Sequence, residues 1–170
     1  MAIKPRTEVP ALSLPTVGGG QFELAQNAPE TFTLLVAYRG LHCLICKTYL
    51  RDLDHKFAEF KALGVKGVAA STDIRERAEQ AKTEWGIEHL PIAYGLGIEQ
   101  ARTWGLYVSA GIKDGEPPLF AEPGLFLIRP DQTLYAASIQ TMPFARPSFS
   151  DVLAAVKFVT EKDYPALGEA

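Results

Sequence analysis

The chain has 170 residues, 47% hydrophobic and 22% charged, so one globular domain spanning residues 1–170 is expected. Its formal net charge of −3 gives no indication of binding to nucleic acid or to an anionic membrane. The longest apolar run, residues 34–38, is too short to cross a bilayer, and Pro5 and Glu8 interrupt the stretch that a signal peptide would keep apolar. A cytoplasmic location is therefore expected.

The two cysteines, Cys43 and Cys46, are the strongest chemical signal in the sequence. A secreted disulfide scaffold would contain more cysteines at wider spacing. A CxxC loop also closes too few residues to stabilise a fold much by cross-linking. In a reducing compartment the pair is therefore predicted to act chemically rather than structurally.

The first half of the chain predicts two short extended pieces, a central strand, a long helix and a second strand. The extended pieces surround a glycine turn within residues 9–24, and residues 31–38 form a β-rich apolar run. The periodicity is helical from about Leu44 to Leu63, and a strand follows at 65–71. One stripe of the helix is predicted to be buried, namely Cys46, Leu50, Leu53, Phe57 and Phe60.

The second half predicts three more helices and a β-hairpin, while residues 86–122 give the weakest pattern. Asp73 is predicted to cap the next helix, with Ile74, Ala78, Ala81 and Trp85 on its buried face. A short helix, two hairpin strands and a last helix follow at 97–104, 123–128, 134–140 and 148–161. This order predicts an α/β fold with a central mixed β-sheet flanked by helices.

The predicted position of the cysteines, where a strand passes into a helix, favours reactivity. Cys43 falls near the helix N-cap, where unpaired N–H groups and the helix dipole lower a thiol pKa. Arg39, His42 and Lys47 are expected to add positive charge. Cys46 lies on the buried stripe whereas Cys43 should reach solvent. Cys43 is therefore predicted to attack an electrophilic sulfur or oxygen, and Cys46 to resolve the adduct as a disulfide.

Two alternative chemistries are less well supported by the sequence. A zinc site could combine the cysteines with His42, His55 or His89, but there is no second CxxC and no paired histidine motif. Hydrolase and nucleotide-binding motifs are absent, since Gly18–Gly20 precedes no predicted helix. Neither a metal nor a bound cofactor is expected, because the sulfurs themselves carry the electrons.

The strand TFTLLVAY, the segment Arg39-Gly-Leu-His-Cys43-Leu-Ile-Cys46 and the long helix after it resemble the AhpC/TSA (redoxin) branch of the thioredoxin superfamily. The likeness is to peroxiredoxin-like proteins with a Tyr-Arg-Gly-x-x-Cys-x-x-Cys segment, and residues 101–107, the PGLFLI strand and residues 143–147 also fit. It implies a thioredoxin-like fold with an N-terminal peroxiredoxin-type extension. It also implies an antioxidant thiol-dependent oxidoreductase that reduces peroxides or protein disulfides. A thioredoxin-type protein or a small thiol would reduce the oxidised enzyme again. The resemblance also implies a homodimer.

The sequence departs from true peroxiredoxins, whose loop reads Pro-x-x-x-Thr-x-x-Cys. Cys46 aligns with the peroxide-attacking cysteine, while Cys43 stands in place of the threonine and Arg39 in place of the proline. Pro123 stands where peroxiredoxins supply an arginine, and by resemblance to thioredoxins it implies a cis peptide bond beside the disulfide. The threonine and arginine that stabilise the breaking O–O bond in peroxiredoxins are therefore both missing. Arg39 and Arg146 are the candidate replacements.

The sequence leaves an alternative open for the identity of the nucleophile and for the class of function. Alignment favours Cys46 as the nucleophile, whereas the burial pattern and thioredoxin-type logic favour Cys43, which is our prediction. The alternative function is a non-catalytic thioredoxin-fold module used in redox sensing or as an adaptor, since this scaffold supports many functions.

Overall fold

The computed structural model of the protein describes residues 2–26 and 28–170. Within these residues, the helices are α1 (Leu44–Ala62), α2 (Arg75–Glu84), α3 (Ile98–Thr103) and α4 (Phe149–Lys162). The strands are β1 (Ser13–Pro15), β2 (Gln21–Glu23), β3 (Phe32–Ala37), β4 (Val65–Ala70), β5 (Ile92–Ala93), β6 (Val108–Ala110), β7 (Leu119–Ala121), β8 (Gly124–Ile128) and β9 (Leu134–Ile139). In the part of the chain described, no helix is both long and apolar enough to cross a membrane.

A five-stranded mixed sheet in the order β5-β4-β3-β8-β9 forms the centre of the fold. Strands β3, β4 and β5 are parallel, β8 is antiparallel to β3, and β9 is antiparallel to β8. The pairs β1-β2 and β6-β7 form two small separate antiparallel sheets. The predicted mixed sheet, the N-terminal pair around a glycine turn and the β8-β9 hairpin are therefore confirmed.

Strand β3 is buried on both faces, as its continuous apolar run predicts. Alternate residues enter two hydrophobic clusters, because successive strand side chains point to opposite faces. Leu34 and Val36 pack in the cluster that includes residues of α1 and α4. Leu35 packs on the other face with Trp104 and Phe126, whose rings meet edge to face at 5.1 Å.

Helix α1 presents to the core the stripe that the sequence predicts: Cys46, Leu50, Leu53, Phe57 and Phe60 are all buried. Asp54 is buried on the same helix, which the periodicity does not predict. Its carboxylate accepts the backbone N–H groups of Glu88, His89 and Leu90 at 3.2, 2.7 and 2.8 Å. These bonds hold the segment before β5 against α1.

Helix α2 begins one residue later than predicted, and the assignment of Asp73 as its cap is wrong. Ile74 is the N-cap residue and no side chain caps this helix, while Asp73 bonds instead to the loop before α1. Ile74 is 61% exposed, so its predicted burial is also wrong. Ala78, Ala81 and Trp85 are buried as predicted.

Residues 86–122, the weakest region of the sequence pattern, contain β5, α3, β6 and β7. Helix α3 follows the prediction and ends before Gly105, whose φ of 77° suits glycine. The three strands have only two or three residues each, which is too short for an alternating pattern to be recognised.

Candidate active site

The two cysteines lie where the chain leaves β3 and enters α1, as predicted. Cys43 is the N-cap residue of α1, and its sulfur accepts the backbone N–H of Cys46 at 3.2 Å. The two residues are joined by a disulfide, with 5.2 Å between their Cα atoms. The sulfur of Cys43 therefore occupies the position in which a helix N-terminus most favours a thiolate.

Both cysteines are buried in this disulfide form. Cys43 is 5% exposed and Cys46 is 0% exposed, so Cys43 is the more accessible of the two residues. The prediction that Cys43 contacts solvent is nevertheless wrong for the disulfide form. The cause is the N-cap geometry, which turns the side chain of Cys43 back towards its own helix and into the main hydrophobic cluster.

Asp73, in the segment that joins β4 to α2, holds the loop between β3 and α1. Its buried carboxylate accepts the backbone N–H of Leu41 at 2.8 Å and the Arg77 Nε at 3.2 Å. Gly40 has a φ of 125°, and a Cβ there would lie 2.7 Å from both carboxylate oxygens. Glycine is therefore required at this position, both for the backbone angle and for the close approach of Asp73.

Arg39 is fixed by a second buried carboxylate, Glu122. The Arg39 Nη2 donates to Glu122 Oε1 at 3.2 Å, and Nε lies 3.2 Å from Oε2. The hydroxyl of Ser109 also donates to this carboxylate, at 2.6 Å, and the guanidinium lies 4.8 Å from the ring centroid of Phe120. The charge of Arg39 is thus matched by a buried negative charge.

His42 does not supply the positive charge expected of it. Its ring packs edge to face on Phe120, with 4.6 Å between centroids, and burial lowers the pKa of His42 below its ordinary value. The imidazole is therefore neutral at neutral pH. Both ring nitrogens are buried and lack a hydrogen-bond partner within residues 2–26 and 28–170.

The structure does not assemble the alternative zinc site. Across the described residues, no group of three His, Cys, Asp or Glu side chains is placed as metal ligands would be. The two cysteine sulfurs are bonded to each other. His55 is exposed on α1, and His89 is also exposed.

Pro123 lies beside the site, but the peptide bond before it is trans, so the implied cis bond is wrong. The chain runs from β7 through Glu122 directly into β8, and the Pro123 carbonyl accepts the N–H of Gln140 at 3.0 Å. A trans bond keeps this segment extended and is the intrinsically preferred form. Pro123 lines a narrow crevice together with Tyr49 and Arg146.

Arg146 is a half-buried cation with free donors. Its guanidinium carbon lies 3.9 Å from the ring centroid of Tyr49, which follows Cys46 by three residues on α1. The Tyr49 hydroxyl donates to the Pro147 carbonyl at 2.7 Å, which fixes the ring. Burial lowers the pKa of Arg146 to about 10, so the side chain stays charged at neutral pH. Neither Nη atom has a hydrogen-bond partner in the described chain.

Five exposed apolar side chains belong to the CxxC segment or lie within two residues of a side chain that contacts the loop or α1: Leu44, Ile45, Ile74, Leu119 and Phe144, here called the apolar rim. Leu44 and Ile45 lie between the cysteines in sequence. The other three are neighbours of residues that contact the loop or α1, namely Asp73, Phe120 and Arg146. Leu44 and Ile45, which are 73% and 45% exposed, therefore place apolar surface between the two cysteines of the disulfide.

Sequence reasoning missed three residues that shape this site, Tyr49, Asp73 and Glu122. The local pattern predicts a helix cap for Asp73, and nothing in the local sequence indicates that Glu122 pairs with a residue 83 positions earlier. The one available signal was the isolated acidic residue in the apolar stretch before the PGLFLI strand, which is typical of a buried, paired carboxylate.

Residues 5–137 match the family model described as the AhpC/TSA family. No curated protein sequence matches the chain. Solved structures similar to it include a cysteine mutant of peroxiredoxin 6 of Arenicola marina, with 19% identity and a TM-score of 0.77 over 95% of this chain and 76% of that one.

Two further structures align over nearly their full lengths. Peroxidoxin BcpB of Mycobacterium tuberculosis has 17% identity and a TM-score of 0.74, over 92% of this chain and 98% of that one. AhpC of Enterococcus faecalis has 15% identity and a TM-score of 0.76, over 98% and 99%. At these identities the likeness establishes the fold, and the predicted thioredoxin-like fold of the peroxiredoxin type is confirmed.

Proposed function

The chain belongs to the AhpC/TSA family, and we propose on this basis that it is a peroxiredoxin-like thiol-disulfide oxidoreductase cycling between a Cys43–Cys46 dithiol and disulfide. The observation that carries the proposal is the disulfide at the N-terminus of α1, with Cys43 as the N-cap residue. A purely structural cross-link here would close only a four-residue loop and add little stability. Reversible redox chemistry gives this pair of cysteines its role.

In the reaction we propose, Cys43 is the nucleophile and Cys46 the resolving residue. The Cys43 thiolate attacks one oxygen of a peroxide and becomes a sulfenic acid, while the other oxygen leaves and is protonated to water or an alcohol. The Cys46 thiolate then displaces the sulfenic oxygen, which leaves as water, and the disulfide forms. The peroxide has gained two electrons and the two cysteines have lost them.

With a disulfide as the oxidant, the same two residues act in the same order. The Cys43 thiolate attacks one sulfur of the substrate and releases the other as a thiolate, and Cys46 then displaces the second. The N–H of Cys46 that now bonds to the sulfur of Cys43 supports this assignment, because it would stabilise the Cys43 thiolate.

Arg146 is the cation that we assign to the reduced site, in preference to Arg39. Arg39 is already paired with Glu122 and stacked on Phe120. Arg146 keeps two free donor groups and its charge, and it lies against the turn of α1 that follows Cys46. Free donors on a fixed cation can stabilise both a thiolate and the oxygen that leaves a peroxide.

The apolar rim supports a protein as the thiol or disulfide partner that exchanges with the Cys43–Cys46 disulfide. Hydrogen peroxide needs no apolar contact, whereas a protein segment that brings a thiolate to Cys43 would bury this surface. A thioredoxin-type reductant fits this chemistry, although a small thiol could also carry out the exchange. A homodimer and a cytoplasmic location stay predictions.

The test is stopped-flow oxidation of the reduced protein by hydrogen peroxide, followed by tryptophan fluorescence and by counting free thiols. Oxidation is expected to outpace a small thiol of equal pKa and to end with both thiols lost. Cys43→Ser should abolish the fast phase, while Cys46→Ser should keep it and stop at a sulfenic acid. The reverse pattern would make Cys46 the nucleophile. Failure of the reduced protein to react faster than the small thiol with either hydrogen peroxide or a protein disulfide would overturn the proposal.

A further inference from the structure

The imidazole ring of His42 is enclosed, although the residue as a whole is partly exposed. Both ring nitrogens, Nδ1 and Nε2, are buried, and neither has a hydrogen-bond partner among residues 2–26 and 28–170. The ring packs edge to face on Phe120 of β7, with 4.6 Å between centroids, and Phe120 is itself buried. A neutral imidazole in this place forgoes two hydrogen bonds, whereas a protonated ring would also leave a charge unsolvated. In this position the ring therefore resists protonation.

Charged side chains from four segments act on this ring. They are Arg39 of the same loop, Asp73 of the segment between β4 and α2, Arg77 of α2 and Glu116 of the connection between β6 and β7. Arg39 lies on the same Phe120 ring, with its guanidinium carbon 4.8 Å from the centroid, and it pairs with Glu122. Asp73 and Glu116 already accept backbone N–H groups of other residues. Burial outweighs the attraction of these two carboxylates, so the pKa of His42 lies below its ordinary value.

The chain around His42 forms a turn that ends at the disulfide. The N–H of Cys43 donates to the carbonyl of Gly40 at 3.1 Å, which closes the turn of residues 40–43. The sulfur of Cys43 accepts the N–H of Cys46, and Cys43 is buried in the main hydrophobic cluster. The position of the His42 ring and the burial of the disulfide therefore depend on the same short turn.

We propose that His42 is an acid-sensitive latch: protonation draws its ring into water, opens the turn of residues 40–43 and exposes the disulfide at Cys43 to a reductant. A protonated ring needs water or acceptors for two N–H groups, and among the described residues its present position offers neither. His42 is thus a positioning residue, because it acts through the placement of Cys43. The value of the latch for reducing the oxidised enzyme rests on the proposed function, whereas the exposure of the disulfide does not.

The direction and the size of the pH effect follow from the linkage between protonation and opening. Above about pH 6.5, the ordinary pKa of histidine, the ring is neutral and the closed turn is favoured. As the pH falls below this value, the open turn takes up the proton that the closed turn resists, and the population of the open turn rises. Where only the open turn is protonated, its population increases about tenfold between about pH 7.5 and about pH 5.5.

The test is reduction of the full-length disulfide form by the phosphine TCEP, followed by counting free thiols, at about pH 7.5 and about pH 5.5. The variant His42→Phe can keep an aromatic ring against Phe120 and has no proton to gain. The reactivity of the phosphine itself depends on pH, so the wild-type rate is divided by the variant rate at each pH. This ratio should be about ten times larger at the lower pH. With the matched control His55→Phe, exposed on α1, the corresponding ratio should stay constant within about twofold.

Amide hydrogen exchange of the wild-type disulfide form gives a second measurement, which does not depend on the folding of a variant. The Cys43 amide closes the turn, so its protection should fall about tenfold between the two pH values after correction for the intrinsic exchange rate. A wild-type to His42→Phe ratio that is the same at both pH values would overturn the proposal, as would constant protection of the Cys43 amide. Neither measurement uses the oxidoreductase activity, so failure of this inference and failure of the proposed function are distinguishable.

Discussion

Replacement of Asp54 by alanine removes the carboxylate that binds three backbone N–H groups at 3.2, 2.7 and 2.8 Å. Burial alone would raise the pKa of Asp54, but the three donors together hold it below its ordinary value. Hydrogen bonds to a charged group contribute roughly 1.5–3 kcal/mol each, and the cost of burying the carboxylate offsets part of their sum. We therefore expect Asp54→Ala to lower the free energy of unfolding by about 3–5 kcal/mol and the melting temperature by roughly 10 °C.

Urea unfolding followed by tryptophan fluorescence measures this loss, since Trp85 and Trp104 are both buried. Asp52→Ala is the matched control, because Asp52 lies on the same helix, is 44% exposed and, among the residues that the structure describes, pairs only with Lys56. It should cost no more than about 1 kcal/mol. Equal losses for the two variants would refute the role assigned to Asp54.

Comparison of the wild type with Asp54→Ala also tests how the stabilising effect of Asp54 depends on pH. The pKa of Asp54 is lower in the folded protein than in the unfolded chain, so its stabilising effect is present above the unfolded pKa, about 4. The effect is lost as the pH falls through the folded pKa. The stability difference between wild type and Asp54→Ala should therefore narrow on going from about pH 7 to about pH 3, and a constant difference would contradict this reasoning.

Three further substitutions test the loop and the cations around the cysteines. Gly40→Ala places a Cβ 2.7 Å from the Asp73 carboxylate at a φ of 125°, and should lower the free energy of unfolding by about 1–3 kcal/mol in urea titrations. Glu122→Gln leaves Arg39 without its counter-charge and should cost about 1–3 kcal/mol, measured in the same way; an unchanged midpoint would contradict the pairing. Arg146→Gln should slow oxidation of the reduced protein by peroxide about tenfold with little change in melting temperature, and an unchanged rate would remove Arg146 from the site.

The sequence predicts well those helices and strands whose hydrophobic periodicity extends over several consecutive residues. The buried run of β3 and the stripe of α1 each span several residues, so period and burial agree. The position of Cys43 at the N-cap follows from the same pattern, because the strand must end before the helix begins. The strands of two or three residues within 86–122 offer too few positions for any periodicity.

The carboxylates that shape the site could not be placed from sequence, because their partners are distant in the chain. Asp73 precedes a helix and has Glu76 three residues later, which is typical of a helix cap. Its carboxylate instead accepts the backbone N–H of Leu41, in the loop between β3 and α1. Glu122 meets Arg39 only because β7 packs beside the loop. The resemblance to thioredoxins predicts a cis bond before Pro123, and this chain does not follow it.

The central claim is that Cys43 and Cys46 form a reversible two-electron couple, and a redox titration tests it most directly. The protein is equilibrated in glutathione buffers, free thiols are alkylated and the reduced fraction is counted by mass. We expect a single two-electron transition at a potential between about −270 and −120 mV, the range of catalytic dithiols. A potential below about −300 mV, typical of a structural disulfide, would contradict a catalytic role for the pair.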